Sequence, residues 1–239
     1  MHSRPVAVPS GIARKIRTIL DVQDVPIAPP ARRGGRSWLL HPRRLEVLLA
    51  SAAYPGLHER SASRLLLLPL PSLRYHVEQL VAQGFLERRR YAGRTSLFAS
   101  GMYPRASECF LVAWEDRIDR AILVALARTP KAAADAIAKA ARISTPGAVA
   151  GLRRLAAIGA VRLSRDRVPR ASLTAGWRAF ERDCHVRTGA RLDRFVALLQ
   201  RDDLHPVVEP LDRSRVRITV DGPRSRIRFV LPLDPIARG

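Results

Sequence analysis

The stretch PSLRYHVEQLVAQGFLERRRYAGRTSLF, residues 71–98, carries two periodicities in succession. Pro71 suits a first helical position, and Leu73, Val77, Leu80 and Val81 then recur on one face at helical spacing. Gly84 follows as a C-terminal stop, so a helix is predicted over Pro71 to Gln83. Ser72, Arg74, Tyr75, His76 and Gln79 are left mainly outside the apolar stripe. Beyond Gly84 the period shortens. Phe85-Leu86 and Ser96-Leu97-Phe98 predict two short strands around Arg90-Tyr91-Ala92-Gly93-Arg94, a hairpin with a basic tip.

Upstream, Leu45, Leu48, Leu49 and Ala52 pattern a first helix from Pro42 that Tyr54-Pro55-Gly56 stops. A second short helix is predicted from about Leu57 to Leu66, with a turn around Leu68-Pro69. Downstream, residues 116–174 repeat the arrangement: helices patterned by Ile118, Ile122, Leu123 and Leu126, by Ala132 to Ala141 and by Pro146 to Ile158, then a hairpin from Val161 to Leu173. Gly147 and Gly151 weaken the third of these by propensity. Trp177, Phe180, Cys184, Phe195, Leu198 and Leu199 predict one or two more helices, with a break at Thr188-Gly189. RVRITV and SRIRFVL flank DGPR as a C-terminal hairpin, with Arg215, Arg217 and Thr219 on one face and Val216, Ile218 and Val220 on the other. The fold class expected is mainly α with small β-hairpins, an α+β chain. Its divisions are a basic arm and linker over 1–41, two helix-and-hairpin domains over 42–104 and 110–174, and a helical segment with a hairpin over 175–239.

The 239 residues carry 42 Lys and Arg against 21 Asp and Glu, a net charge of +21, and only Lys15, Lys131 and Lys139 are lysines. A GC-rich genome accounts for Arg over Lys, but not for twice as many bases as acids. Planar guanidinium forks match phosphate and guanine edges, so the excess points to a polyanion, with nucleic acid ahead of an anionic membrane. Cys109 and Cys184 stand far apart in no CxxC pattern, so neither a disulfide framework nor a zinc ribbon is expected, and a reduced intracellular setting is. The longest apolar run, Leu65 to Leu70, is far below the ~20 residues of a membrane helix. The start has no apolar leader stretch, so a cytoplasmic, nucleoid-associated location is expected. Arg32, Arg33 and Arg36 in the arm reach a DNA backbone or minor groove on one reading and solubilise a tail on the other.

Residues 71–98 resemble the recognition helix and wing of winged helix-turn-helix transcription regulators, particularly the ArsR-like and archaeal ones. Tyr75-His76-Val77, Leu80, Gly84 and the basic hairpin carry the resemblance, which covers Leu45 to Phe98. It departs in LLLLPLP, where such families place a Ser or Thr cap before the recognition helix. The resemblance implies tandem winged helices on double-stranded DNA, because a B-DNA major groove admits one helix whose exposed N-terminal side chains reach base edges. Ser72, Arg74, Tyr75 and Gln79 would then face bases, and Arg88, Arg89, Arg90 and Arg94 would hold phosphates. His76 touches phosphate or packs between helix and wing; Tyr75 reads or merely covers an edge; the arginine run grips or is a solvated face. In the second copy Arg153, Arg154, Arg165, Arg167 and Arg170 divide between DNA contact and a protein-contact module.

Catalytic patterns are wanting. His58-Glu59 lacks a second His at HExxH spacing, Cys184-His185 lacks nearby ligands, and no phosphate-cradling GxxxxGK[ST] loop occurs. The expectation is a non-enzyme with no metal and no cofactor. It would be a DNA-binding transcription regulator that uses its C-terminal hairpin for homodimerisation. Its rivals are an architectural nucleoid or chromatin protein and a scaffold subunit of a transcription or chromosome complex.

Overall fold

Pro42 supplies the first helical residue of α1 (Pro42–Ala53), so its missing N–H costs nothing there. Leu45, Leu48, Leu49 and Ala52 are all buried, as their spacing predicts. The computed structural model describes residues 25–26, 38–91, 93–221 and 225–237. The expected basic arm, with Arg32, Arg33 and Arg36, lies for the most part outside the described residues.

The expected second helix begins two residues late. Leu57 and His58 form β2 (Leu57–His58), paired with Leu97 and Ser96, and α2 (Glu59–Leu65) follows. A two-residue strand leaves no periodicity to read; it exists because Leu57 meets buried Leu97 across the ladder. At the turn, Leu67 takes a left-handed φ of 52° and is exposed, while Ser63 Oγ donates to the Leu68 carbonyl at 2.6 Å. No side chain caps the next helix, α3 (Leu70–Ala82), whose N-cap is Pro69. Leu73, Val77 and Leu80 are buried on α3, but Val81 is 37 % exposed and falls outside the core. The other three define the centre of the face, and Val81 sits at its edge. Strands β3 (Leu86–Tyr91) and β4 (Arg94–Ala99) complete a sheet of order β2-β4-β3.

A helix that the periodicity reading passed over, α4 (Arg105–Glu115), spans the expected boundary between residues 104 and 110. It buries Leu111, Ala113 and Trp114, and sets Phe110 and Trp114 against Trp177, with Phe110 also on Phe180. After it come α5 (Arg117–Arg128), β5 (Ala132–Ala133), α6 (Ala134–Ala141), α7 (Thr145–Ala157), β6 (Val161–Leu163) and β7 (Arg170–Leu173), with sheet order β5-β7-β6. The starts of α1, β2, α2, α3 and β3 recur 75 residues later at α5, β5, α6, α7 and β6. Both units thus share one order of helix, short strand, two helices and a hairpin. The glycines of α7 do not break it. Ser144 Oγ accepts from the Gly147 N–H at 3.3 Å, and Gly151 stands where a Cβ would collide with Ile122 of α5. Close helix packing offsets the propensity loss there.

The last third holds α8 (Ala175–Val186) and α9 (Thr188–Gln200), separated at the expected break, then β8 (Val207–Pro210), β9 (Arg215–Asp221) and β10 (Ser225–Pro232). Instead of a lone hairpin, β9 and β10 are the centre of a four-stranded antiparallel sheet, order β1-β10-β9-β8, with β1 at Val25–Pro26. Val216, Ile218 and Val220 face the core, while Arg215 and Arg217 point out to Asp212 and Glu209. Residues 222–224 of the expected turn lie outside the described residues. The C-terminal part braces the first unit from behind. Arg201 donates to the carbonyls of Gly84 (3.1 Å) and Gln83 (3.3 Å), and an Asp202 carboxylate accepts from the Leu39 N–H at 2.6 Å. Among the described residues no helix is long and apolar enough to cross a membrane.

Candidate nucleic-acid interface

The exposed face of α3 begins with Pro71, Ser72, Arg74 and Tyr75, and Tyr75 is 55 % exposed. Gln79, expected on that face, is half-buried. Glu78 is exposed one turn along and repels phosphate, so only the N-terminal half of the helix is electrostatically fit to meet an anion. Arg74 is not free. Its Nε donates to Glu59 Oε2 at 3.1 Å, and the other oxygen of that carboxylate takes Arg88 Nε at 3.1 Å.

The first hairpin is tied to the body on one face. Strand alternation puts Glu87, Arg89 and Tyr91 toward α4, where Tyr91 Oη donates to Glu108 Oε2 at 2.6 Å and Arg89 pairs with Glu87 and lies 3.6 Å from Glu108. Burial and the hydrogen bond to Glu108 push the Tyr91 phenol well above its usual range. Arg94 reaches Asp116 Oδ2 at 3.4 Å, while Asp116 Oδ1 accepts from the first N–H groups of α5, Ile118 at 2.9 Å and Asp119 at 3.2 Å. The wing therefore serves as a clamp on the start of the second unit. Of the four arginines expected to hold phosphates, Arg88, Arg89 and Arg94 are engaged by carboxylates. Arg90 is exposed with no ion-pair partner among the described residues.

His76 packs against the start of α1 rather than the wing. Its ring lies 5.2 Å from that of His41, and its Nδ1 is buried without a hydrogen-bond partner among the described residues. Desolvation, then the charges of His41 and Arg44, hold its pKa below the usual histidine range. Its folded pKa is depressed, so the stability linked to His76 is present above about pH 6.5 and is lost as pH falls through the lower folded value. One proton bounds the slope at about 1.4 kcal/mol per pH unit. In His76→Gln, the fall in denaturant midpoint between pH 7 and pH 5 should be smaller than in the parent. An identical fall would remove His76 from the acid limb.

The second unit is charged differently. Residues 117–174 contain twelve basic and three acidic side chains, a balance of +9, against nine and four, +5, for residues 42–100. Arg154 is spent on Asp119, with Nη2 to Oδ1 at 2.6 Å, and burial raises the pKa of Asp119 despite that bond. Arg153, Arg162, Arg165, Arg167 and Arg170 are all exposed and show no ion pair among the described residues. Two hydrogen bonds close the base of their loop: the Ser164 N–H to the Arg170 carbonyl at 2.8 Å and the Arg170 N–H to Ser164 Oγ at 2.9 Å. Thr145, Pro146, Gly147 and Ala150 at the start of α7 are small or apolar. They leave that helix end open to a backbone but poor in base-reading groups.

The residue reading missed the acids that decide which arginines are available: Glu59, Glu108, Asp116 and Asp119. Glu59 was visible only as half of a failed metal motif, and Glu108 lies on the helix that the periodicity reading passed over. No family model matches the chain. None of the curated proteins matches it either. Among solved structures, the DIP2311 protein of Corynebacterium diphtheriae aligns at 14 % identity over 56 % of this chain and 26 % of its own, with a TM-score of 0.22. The chain therefore spans about a quarter of that protein's length. IdeR of T. acidophilum aligns at 14 % identity over 86 % of this chain and 96 % of its own, with a TM-score of 0.19. Overlaps this poor decide neither fold nor function.

Among the described residues no group of three His, Cys, Asp or Glu side chains is placed to hold a metal ion. Burial pushes the Cys184 thiol up to about 12 and raises Cys109, which disfavours the thiolate in both. A cleft at the start of α4 is lined by Arg187, Arg191 and Arg194, but Arg187 pairs with Asp183 and the other two donate to backbone carbonyls. Buried Arg191 joins the end of α8 to Leu233, next to Asp234, whose carboxylate meets His185.

Proposed function

We propose that the chain binds double-stranded DNA as a transcription regulator, with the first winged helix reading bases through α3 and the second holding phosphates through its hairpin. The observation that carries this reading is the set of five exposed arginines on α7 and the β6–β7 hairpin, Arg153, Arg162, Arg165, Arg167 and Arg170, none paired with a carboxylate among the described residues. Unneutralised guanidiniums on a projecting hairpin gain most from a regular polyanion, whose condensed counterions are released on binding. On the first unit, Ser72, Arg74 and Tyr75 stand at the open N-terminal half of α3, the part of a recognition helix that meets base edges.

Competition binding at ~150 mM salt tests it: a regulator should prefer one selected duplex over random duplex by about 10³-fold or more. Arg74→Ala should remove about 1–3 kcal/mol of that preference, the worth of one bidentate base contact, while random-duplex affinity changes much less. Equal losses on both duplexes would take Arg74 out of base reading. A flat preference favours a second reading, an architectural DNA-coating protein, for which the unpaired arginines of the second unit and the scarcity of base-reading side chains at the start of α7 speak.

A further inference from the structure

We propose that Glu59 is a positioning residue for base recognition: a buried carboxylate that holds Arg74 by its Nε, so that the outer edge of the guanidinium is presented to a guanine. The inference rests on the DNA-binding reading above. Glu59 is the first residue of α2, where the helix dipole favours an anion, and it is 6 % exposed. Its two oxygens are divided between two elements. Oε2 takes Arg74 Nε from the reading helix at 3.1 Å, and Oε1 takes Arg88 Nε from the wing at 3.1 Å. One acid thus sets the reading helix and the hairpin relative to each other.

A guanidinium bound through Nε keeps both Nη nitrogens, and the Arg74 side chain is 55 % exposed. Guanine presents N7 and O6 side by side in the major groove, a pair of acceptors that two N–H groups of one fork satisfy together. An unheld arginine must lose rotamer freedom to make that contact, whereas one already held by a rigid carboxylate loses less. Exposed Glu78 repels phosphate one turn further along, which confines the contact to the half of α3 that Glu59 supports. The 75-residue repeat supplies a control inside the molecule. Ala134 stands at the place of Glu59 and Val149 at the place of Arg74, so the second unit has no such pair, although its arginines are the freer set.

Selection of preferred duplexes from a random pool, by the intact chain and by Arg74→Ala, identifies the base pair that Arg74 reads. Glu59→Gln is then measured on the selected duplex, on the same duplex with that base pair changed, and on random duplex. Discrimination at that base pair should fall about tenfold or more, while random-duplex affinity holds or rises, because two arginines are released to phosphates. A merely structural role would lower all three affinities together, and that result overturns the proposal. So does undiminished discrimination in folded Glu59→Gln. Should that variant not fold, the parent chain decides: the Arg74 Nε proton should exchange with solvent about tenfold or more slowly than that of unpaired Arg153, and equal exchange overturns the positioning role. A parent chain that selects no sequence removes the regulator reading and Glu59's role with it. A selected sequence that Glu59→Gln reads equally well removes only the role of Glu59.

Discussion

Replacing Arg162, Arg165, Arg167 and Arg170 together by glutamine is expected to weaken binding to random duplex by about 10²–10³-fold at ~150 mM salt. Each phosphate contact adds about 0.9 to the slope of log affinity against log salt, so losing four should flatten it by about three to four. The four side chains are exposed and have no carboxylate partner among the described residues, so glutamine disturbs nothing inside the fold. The matching change on the first hairpin, Arg88, Arg89 and Arg94 to glutamine, should behave in the opposite way. These three are held by Glu59, Glu87, Glu108 and Asp116, and Glu59 and Glu108 are buried. Removing their partners leaves buried charge short of compensation, which costs on the order of several kcal/mol in stability. Their contribution to the salt slope is smaller, because an arginine already neutralised gains less from a phosphate. Isothermal binding over a salt series, with thermal melts of both variants, separates the two hairpins. Equal losses of slope would remove the division of roles between them.

The second large effect is structural. Gly56→Ala is expected to destabilise the chain by about 2–4 kcal/mol, the sum of forcing a Cβ into a left-handed conformation and overpacking a closed contact. Gly56 has φ +85°, and a Cβ there would stand 3.0 Å from Val112 N, 3.1 Å from Val112 Cα and 3.2 Å from Leu111 C. All three are backbone atoms of α4, which cannot rotate away as a side chain could. Gly56 cannot retreat either, since its N–H donates to the Leu97 carbonyl at 2.9 Å and Leu57 is paired to the same residue. At this chain length the melting temperature should fall by about 5–12 °C. Gly159→Ala is the control. Gly159 also has a positive φ, +74°, but nothing lies within 4 Å of its would-be Cβ, so only the conformational part of the cost, about 1–2 kcal/mol, remains. Similar melting shifts in the two variants would mean that α4 is not seated on Gly56.

Gly56 shows how a sequence signal can be read correctly and still incompletely. Tyr54-Pro55-Gly56 marked the end of α1, and α1 ends there. That the same glycine is also the seat of α4 depends on Leu111 and Val112, more than fifty residues away on a helix that the periodicity reading did not anticipate. The two short strands β2 and β5 were missed for a related reason. Each is two residues long and exists only through its ladder partner in the hairpin, Leu97 and Ser96 for β2, Ala171 and Arg170 for β5.

The sequence by itself determined the order of the long elements other than α4, most of their buried faces and their duplication. Those follow from local periodicity, from Pro71 and Gly84 at the ends of one helix, and from the 75-residue recurrence. It also determined that the charge is arginine and in large excess. Which arginines are available to a polyanion was decided only by the tertiary structure. Arg74 meets Glu59 fifteen residues away, and Arg154 meets Asp119 across thirty-five. Arg94 meets Asp116 across twenty-two, and Arg201 reaches Gly84 across 117. A composition counts charges, but Coulomb attraction and burial act over a few ångströms between side chains that only the folded chain brings together. That is why two arginines of the richest basic run in the sequence, Arg88 and Arg89, serve as an internal clamp, while Arg153, Arg162, Arg165, Arg167 and Arg170 of the second unit are exposed without a carboxylate partner among the described residues.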